Sequence, residues 1–192
     1  MLPLSLRSAT AAAAIAAAVL SGCGDDGNDG DAADDGDDRS DAATFERDGF
    51  PFTFEYPNEY RLVDDPQTLP LAATADESLA IAIDESDNGV IVQRFTLNTE
   101  VDQSNLADAQ QELDALIQRV DRTAAGQPGE TAGFPSVSYD EVALSVPEDG
   151  ESRFVHLFDG EQQYTINCQS TSEHRDAVTE VCDQAIETLT GR

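Results

Sequence analysis

The sequence has no lysine and no tryptophan, and its shortage of positive charge is the most informative of these absences. All ten basic residues are arginine, against 39 acidic residues, so the formal net charge is −29. Binding of nucleic acid needs clustered cations that neutralise phosphates, and this composition argues against it. The same charge disfavours peripheral attachment to anionic lipid headgroups. Any attachment to a membrane is therefore expected to be covalent or spanning.

Recognisable catalytic signatures are also absent from the sequence. There is no G-x-S-x-G elbow and no H-E-x-x-H zinc motif, and a P-loop is excluded because it needs a lysine. The only histidines are His156 and His174. His156 lies within a predicted strand between phenylalanines, so a packed core histidine is favoured over a catalytic base. Carboxylates are so abundant that no pair stands out, and we expect no catalytic residue, cofactor or metal.

Residues 1–22 have the layout of a bacterial export signal. Arg7 precedes an apolar stretch from Ala9 to Leu20, which is too short to span a bilayer as a helix. The stretch ends in Leu20-Ser21-Gly22-Cys23, which resembles the lipobox of bacterial lipoproteins. The resemblance implies that Cys23 receives diacylglycerol and becomes the first residue after cleavage, and two acyl chains suffice for stable anchoring. An ordinary cleaved signal with a chance cysteine is the alternative.

Residues 23–43 are predicted to be a disordered acidic tether. Between Gly24 and Ala43 nine aspartates face a single arginine, Arg39, and nothing there can form a core. An EF-hand loop that begins at Asp25 is a poor match, because Gly27 falls at position 3, where a ligand is needed, and no glutamate closes the loop at position 12. A solvated spacer is favoured over diffuse binding of cations.

Residues 44–192 show the patterns of one folded domain. Alternating or apolar runs predict strands at 52–56, 61–63, 79–84, 90–97, 136–146, 153–158 and 162–169, with turns at Asn88-Gly89 and Asp159-Gly160. Helical spacing predicts helices over 105–120, capped by Ser104 or Asn105, and over 174–189, ended by Gly191. Strand 153–158 is apolar on both faces and needs cover on both. The pattern therefore predicts an α+β fold, an α/β/α sandwich with a mostly antiparallel sheet of about six to seven strands covered by helices.

Two short segments resemble a known family. Gly49-Phe50-Pro51-Phe52-Thr53-Phe54-Glu55-Tyr56-Pro57 is similar to the first strand of PsbP-like domains. Tyr164-Thr165-Ile166-Asn167-Cys168, followed by a helix with Cys182, resembles the close of actinobacterial lipoproteins of that group. The resemblance covers about residues 45–190 and implies the same sandwich, with no catalytic residues.

The two remaining cysteines, Cys168 and Cys182, are predicted to form a disulfide. Strand alternation places Cys168 with Ile166, and helical spacing places Cys182 with Val178, so two apolar faces should meet. Export to an oxidising compartment favours the bond. Two buried free thiols are the alternative, and a zinc site lacks further ligands.

These observations favour a non-enzymatic, membrane-anchored extracytoplasmic lipoprotein that binds or helps to assemble another envelope protein. A carrier of a small molecule or lipid, with a pocket between sheet and helix, is the alternative, and an enzyme of unrecognised type comes third. The expected contacts are the lipid bilayer, through acylated Cys23, and an envelope protein, but no nucleic acid.

Overall fold

The computed structural model describes residues 41–64, 66, 75–84, 88–145 and 149–192. The predicted signal peptide, Cys23 and the tether up to residue 40 lie outside these residues. None of the helices in the described part of the chain is long and apolar enough to cross a membrane. The first strand begins at Ala42, so the predicted domain boundary at Thr44 falls inside it.

Three short strands form a small antiparallel sheet. Strand β1 is Ala42–Phe45, β2 is Phe52–Pro57 and β9 is Thr190–Gly191, in the order β1-β2-β9. Alternation in β2 turns Phe52, Phe54 and Tyr56 to one face, where all three are buried. The rings of Phe45 and Phe54 stack 4.6 Å apart across the β1–β2 pair. The phenylalanine-rich opening of the domain is therefore core.

The large sheet contains the remaining strands, and all its neighbouring pairs are antiparallel. They are β3 (Arg61–Asp64), β4 (Glu77–Ala82), β5 (Gly89–Val101), β6 (Gln127–Thr131), β7 (Phe134–Ala143) and β8 (Glu151–Ser170). Their order in the sheet is β3-β4-β5-β8-β7-β6.

Strand β8 folds back on itself to form two arms. Nine extended residues span about 30 Å, yet the side chains of His156 and Thr165 are 3.0 Å apart. The reversal lies near Gly160, which has a φ of 61°. The first arm pairs with β7 and the second with β5. The predicted turn at Asp159-Gly160 and its two flanking strands are thus confirmed, and seven strands lie side by side.

The two helices lie on opposite faces of the large sheet, as predicted. Helix α2 (Arg175–Glu187) packs with β1, β2 and one face of β4, β5 and β8. In the first arm of β8, this face carries Val155 and Leu157. Helix α1 (Leu106–Ile117) packs on the other face, against Phe154, Phe158 and residues of β7. The apolar character of both faces of the first β8 arm is explained by this double cover. The architecture is α+β, with the small sheet sharing one face with α2.

Several local predictions need correction. Gly89 is not in a turn but in β5 opposite Ala82, where a Cβ atom would lie 2.4 Å from the Ile81 carbonyl oxygen. Glycine is needed here because it lets the backbone of the neighbouring strand approach closely, and not because the chain adopts a left-handed turn. Gly191 does not end α2, because the helix stops at Glu187 and Gly191 pairs in β9.

Helix α1 is shorter than predicted and is capped differently. It ends at Ile117, and its first flanking residue, Asn105, makes no capping hydrogen bond to the helix. The Asn105 side chain instead accepts a hydrogen bond from the Asp102 backbone N–H and donates one to the Glu100 carbonyl. The amide is used to close the β5–α1 connection and so is not free to cap.

Candidate functional site

Cys168 and Cys182 are joined by a disulfide, which confirms the predicted pair. Their Cα atoms are 5.9 Å apart, and both residues are buried. Cys168 lies on the second arm of β8 and Cys182 on the apolar side of α2. The bond therefore connects the helix directly to the centre of the sheet.

An open cleft of about 370 Å³ lies beside this disulfide, between α2 and the ends of β7 and β8; we call it the α2 cleft. Its apolar walls include the disulfide and Val178, and α2 adds the hydroxyl of Thr179. Ser152 also lines the cleft, but its buried side chain lies on the face of β8 that carries Phe154, opposite α2. The cleft thus combines apolar surface with hydrogen-bonding capacity.

Two of the eight arginines that follow residue 40 line the α2 cleft, and both are already paired. Arg153 contacts Asp183 on α2 at 2.7 Å and Asp140 on β7 at 3.4 Å. Arg175 contacts Glu151 of β8 at 3.1 Å. These exposed pairs link α2 to the sheet and each contributes little to stability.

A β-bulge shapes the rim of the cleft. The β7–β8 register shifts between Tyr139 and Val142, so that β7 has one residue more than β8 there. Within the bulge Glu141 has a φ of 53°, a conformation that disfavours residues other than glycine. Its side chain is exposed and lines the cleft. Regular strand alternation would place the Glu141 side chain on the same face as Tyr139, and the bulge turns it to the cleft instead.

His156 is a core residue, as the sequence suggested. Its ring is stacked on Phe154, with centroids 5.9 Å apart and planes 7° apart, and meets the edge of Tyr139. Burial lowers the pKa of His156 to about 4, so the ring is neutral near pH 7. Its Nε2 atom has no hydrogen-bond partner among the described residues.

The other histidine, His174, lies at the beginning of α2. Its Nε2 atom is 3.7 Å from a carboxylate oxygen of Asp84, and its side chain is half-buried. Neither histidine lines the α2 cleft. Within the described ranges, no group of three or more histidine, cysteine or acidic side chains could hold a metal ion.

Sequence reasoning predicted the disulfide but missed the cleft beside it. The available signal was the rarity of arginine, since Arg153 and Arg175 are two of only ten. A second signal was the apolar alternation of 136–146, which changes phase between Tyr139 and Val142, where the bulge that positions Glu141 lies. Cys23, the predicted lipidation site, lies outside the described residues.

Comparison with known proteins reveals a fold likeness and no sequence relative. No protein-family model matches the chain, and no curated protein sequence matches it. The solution structure of cyanobacterial PsbP (CyanoP) from Synechocystis is similar, with a TM-score of 0.52 and 12% identity over 79% of this chain and 93% of that one. The chain therefore has a PsbP-like fold, as the resemblance of its first strand implied.

Two further solved structures are similar at lower TM-scores. One is a protein from Bacteroides thetaiotaomicron, with a TM-score of 0.47 and 13% identity over 79% of this chain and 49% of that one. The other is LpqN, described as involved in cell envelope biogenesis of Mycobacterium tuberculosis. Its TM-score is 0.44, with 12% identity over 78% of this chain and 90% of that one.

Proposed function

We propose that this protein is a non-enzymatic lipoprotein, anchored through acylated Cys23 on the outer side of a membrane, whose PsbP-like domain binds another envelope protein. Leu20-Ser21-Gly22-Cys23 after an apolar run supports the anchor. The acidic tether would hold the domain away from the bilayer, because like charges extend a flexible chain.

The α2 cleft is the observation that carries the binding role. It is open and charged, and a bulge shapes its rim. The ion pairs of Arg153 and Arg175 connect α2 to the sheet on either side of it. A surface with fixed polar groups around an apolar floor suits recognition of a protein segment. Acid–base catalysis has little support there, because no histidine is among the described residues that line the cleft.

A small polar ligand is the second candidate occupant. The cleft volume of about 370 Å³ falls in the range of ligand pockets. Charged and hydroxyl side chains line it beside the apolar floor, so it fits a polar molecule better than an acyl chain. Native mass spectrometry of the protein released from membranes tests this candidate, which predicts a bound mass of a few hundred daltons.

Anchoring is tested by metabolic labelling with a fatty acid. The wild-type protein should take up label and fractionate with membranes, and Cys23→Ala should do neither. Unlabelled wild-type protein would overturn the lipoprotein proposal.

The binding role is tested by photo-crosslinking in the intact envelope. A benzoylphenylalanine replaces Thr179 at the cleft or, as a matched control, Glu112 on the exposed side of α1. We expect one defined adduct, identified by mass spectrometry, from position 179 and none from position 112. Absence of an adduct from both positions would count against a protein partner.

A further inference from the structure

The α2 cleft carries an excess of negative charge that its own arginines do not neutralise. Asp140 and Glu151 are paired with Arg153 and Arg175, respectively. Arg153 also binds Asp183, so each guanidinium is already engaged by at least one carboxylate. An anionic ligand would have to compete with these carboxylates and approach their negative charge. The cleft therefore does not suit phosphate or carboxylate groups.

Glu141 supplies the unpaired charge. Within the described part of the chain its carboxylate makes no ion pair and no hydrogen bond, although Arg153 lines the same cleft. The positive φ of Glu141 is a conformation that is unfavourable for residues other than glycine. The Glu141 carboxylate is thus held at the rim of the cleft by a backbone conformation that glycine or asparagine would adopt more easily.

The interior of the cleft matches a long side chain with a charged end. Val178 and the disulfide provide apolar contact for a stem of methylene groups, as lysine and arginine have. The Thr179 hydroxyl can accept a hydrogen bond. Guanidinium and ammonium groups only donate hydrogen bonds, so this hydroxyl and the Glu141 carboxylate have the complementary chemistry.

The charge of the whole domain acts in the same direction. Thirty acidic residues and eight arginines follow residue 43, which leaves a net charge of about −22. Such a field attracts a basic surface over long range and speeds its association.

We infer that the α2 cleft receives an arginine or lysine side chain of the protein partner, whose cationic end binds the Glu141 carboxylate. The inference rests on the proposed function, because it names the chemistry of that partner. Placing the basic side chain on a protein follows from the net charge of about −22 after residue 43, because a basic protein surface can interact with many more of these acidic residues than a small amine can.

The test is titration of the full-length protein in detergent with two peptides that differ by one charge. Acetyl-Gly-Arg-Gly-amide is the probe, and the same peptide with citrulline is its neutral control. Spermidine and a longer peptide with three arginines are separate arms. Binding is followed by NMR, with Glu141→Gln as the test variant and Glu112→Gln on the far side of the sheet as the matched control.

We expect the arginine peptide to shift the backbone signals of Glu141 and Thr179, and the citrulline peptide to leave them unchanged. Glu141→Gln should weaken binding about two- to five-fold, as loss of one exposed ion pair does, and Glu112→Gln should not. Equal weakening by both variants would overturn the inference, because it would show attraction by net charge alone. Tighter binding of spermidine than of the three-arginine peptide would overturn it in favour of a small-amine carrier.

This experiment fails separately from the proposed function. If no peptide binds but crosslinking from position 179 yields a defined envelope protein, the partner-binding role stands and the inference about a basic side chain in the cleft is wrong. If neither experiment detects binding, both are wrong.

Discussion

The Nδ1 atom of His156 lies 3.0 Å from the hydroxyl oxygen of Thr165, nine positions further along β8. This contact shows that β8 doubles back, and it places the imidazole in the middle of the sheet face that α1 covers. The amide nitrogen of Gln163 lies 3.2 Å from the same Nδ1 atom, so Nδ1 accepts its hydrogen bond and Nε2 carries the proton in the neutral ring. A protonated His156 would be a buried charge, and no carboxylate of the described residues contacts it.

Stability is therefore expected to fall in mild acid. The unfolded chain takes up a proton at His156 near pH 6.5, and the folded chain does so only near pH 4. The free energy of unfolding should be insensitive to this group above pH 6.5 and decrease as the pH drops from 6.5 to 4, by about 3 kcal/mol in total. Urea unfolding at several pH values measures the slope.

His156→Phe separates this effect from titration of the carboxylates. Phenylalanine keeps the stack on Phe154 but cannot be protonated, so the slope between pH 6.5 and 4 should become shallower than in the wild type. The same slope in both proteins would mean that His156 is not the group responsible.

The disulfide should contribute about 3 kcal/mol to stability. Cys168 and Cys182 close a loop of about 15 residues, and closing such a loop restricts the unfolded chain by that amount. Urea unfolding with and without dithiothreitol measures the difference. A Cys168→Ala/Cys182→Ala variant should not respond to the reductant. Two reactive thiols in the denatured wild type would show that the bond does not form.

Salt should stabilise the domain. A net charge of about −22 after residue 43 produces repulsion that the few exposed ion pairs offset only weakly. Screening shortens the reach of repulsion from about 10 Å at 0.1 M salt to about 3 Å at 1 M. The melting temperature should therefore rise with KCl over this range. A flat or falling curve would show that other terms outweigh the repulsion.

Ala132→Asn should stabilise the β6–β7 hairpin. Ala132 and Gly133 both have positive φ, 52° and 86°, in the two-residue turn between Thr131 and Phe134. Asparagine tolerates this conformation better than alanine, so we expect a gain of about 0.5–1 kcal/mol and a rise in melting temperature of about 1–4 °C.

The matched control is Ala143→Asn, at an exposed position of β7 with ordinary backbone angles, which should give no gain. A destabilised Ala132→Asn protein would indicate that the contact of the Ala132 methyl group with the core outweighs the backbone strain.

Much of the fold follows from local patterns in the sequence. Apolar residues at helical spacing identified α1 and α2, and alternation identified the two arms of β8 and which of their side chains share a face. The faces of Cys168 and Cys182 could be assigned in this way, so their pairing was predictable. The burial of His156 was predictable for the same reason, since Phe154 and Phe158 flank it on one face of a strand.

Periodicity and composition are local properties, so they were enough to predict the acidity of the chain, the helices α1 and α2, the principal hairpins and the disulfide. Other features depend on contacts between distant segments. Strand β9 is two residues long and exists through its pairing with Phe52 and Thr53, at the other end of the domain. Gly89 is needed because the Ile81 carbonyl approaches it from another strand. The apolar pattern of β7 changes phase between Tyr139 and Val142 and so marks the bulge, but the α2 cleft depends on where the helix rests on that bulged edge. Register and docking are set by contacts between residues far apart in the chain, and the apolar pattern of a single segment does not contain them.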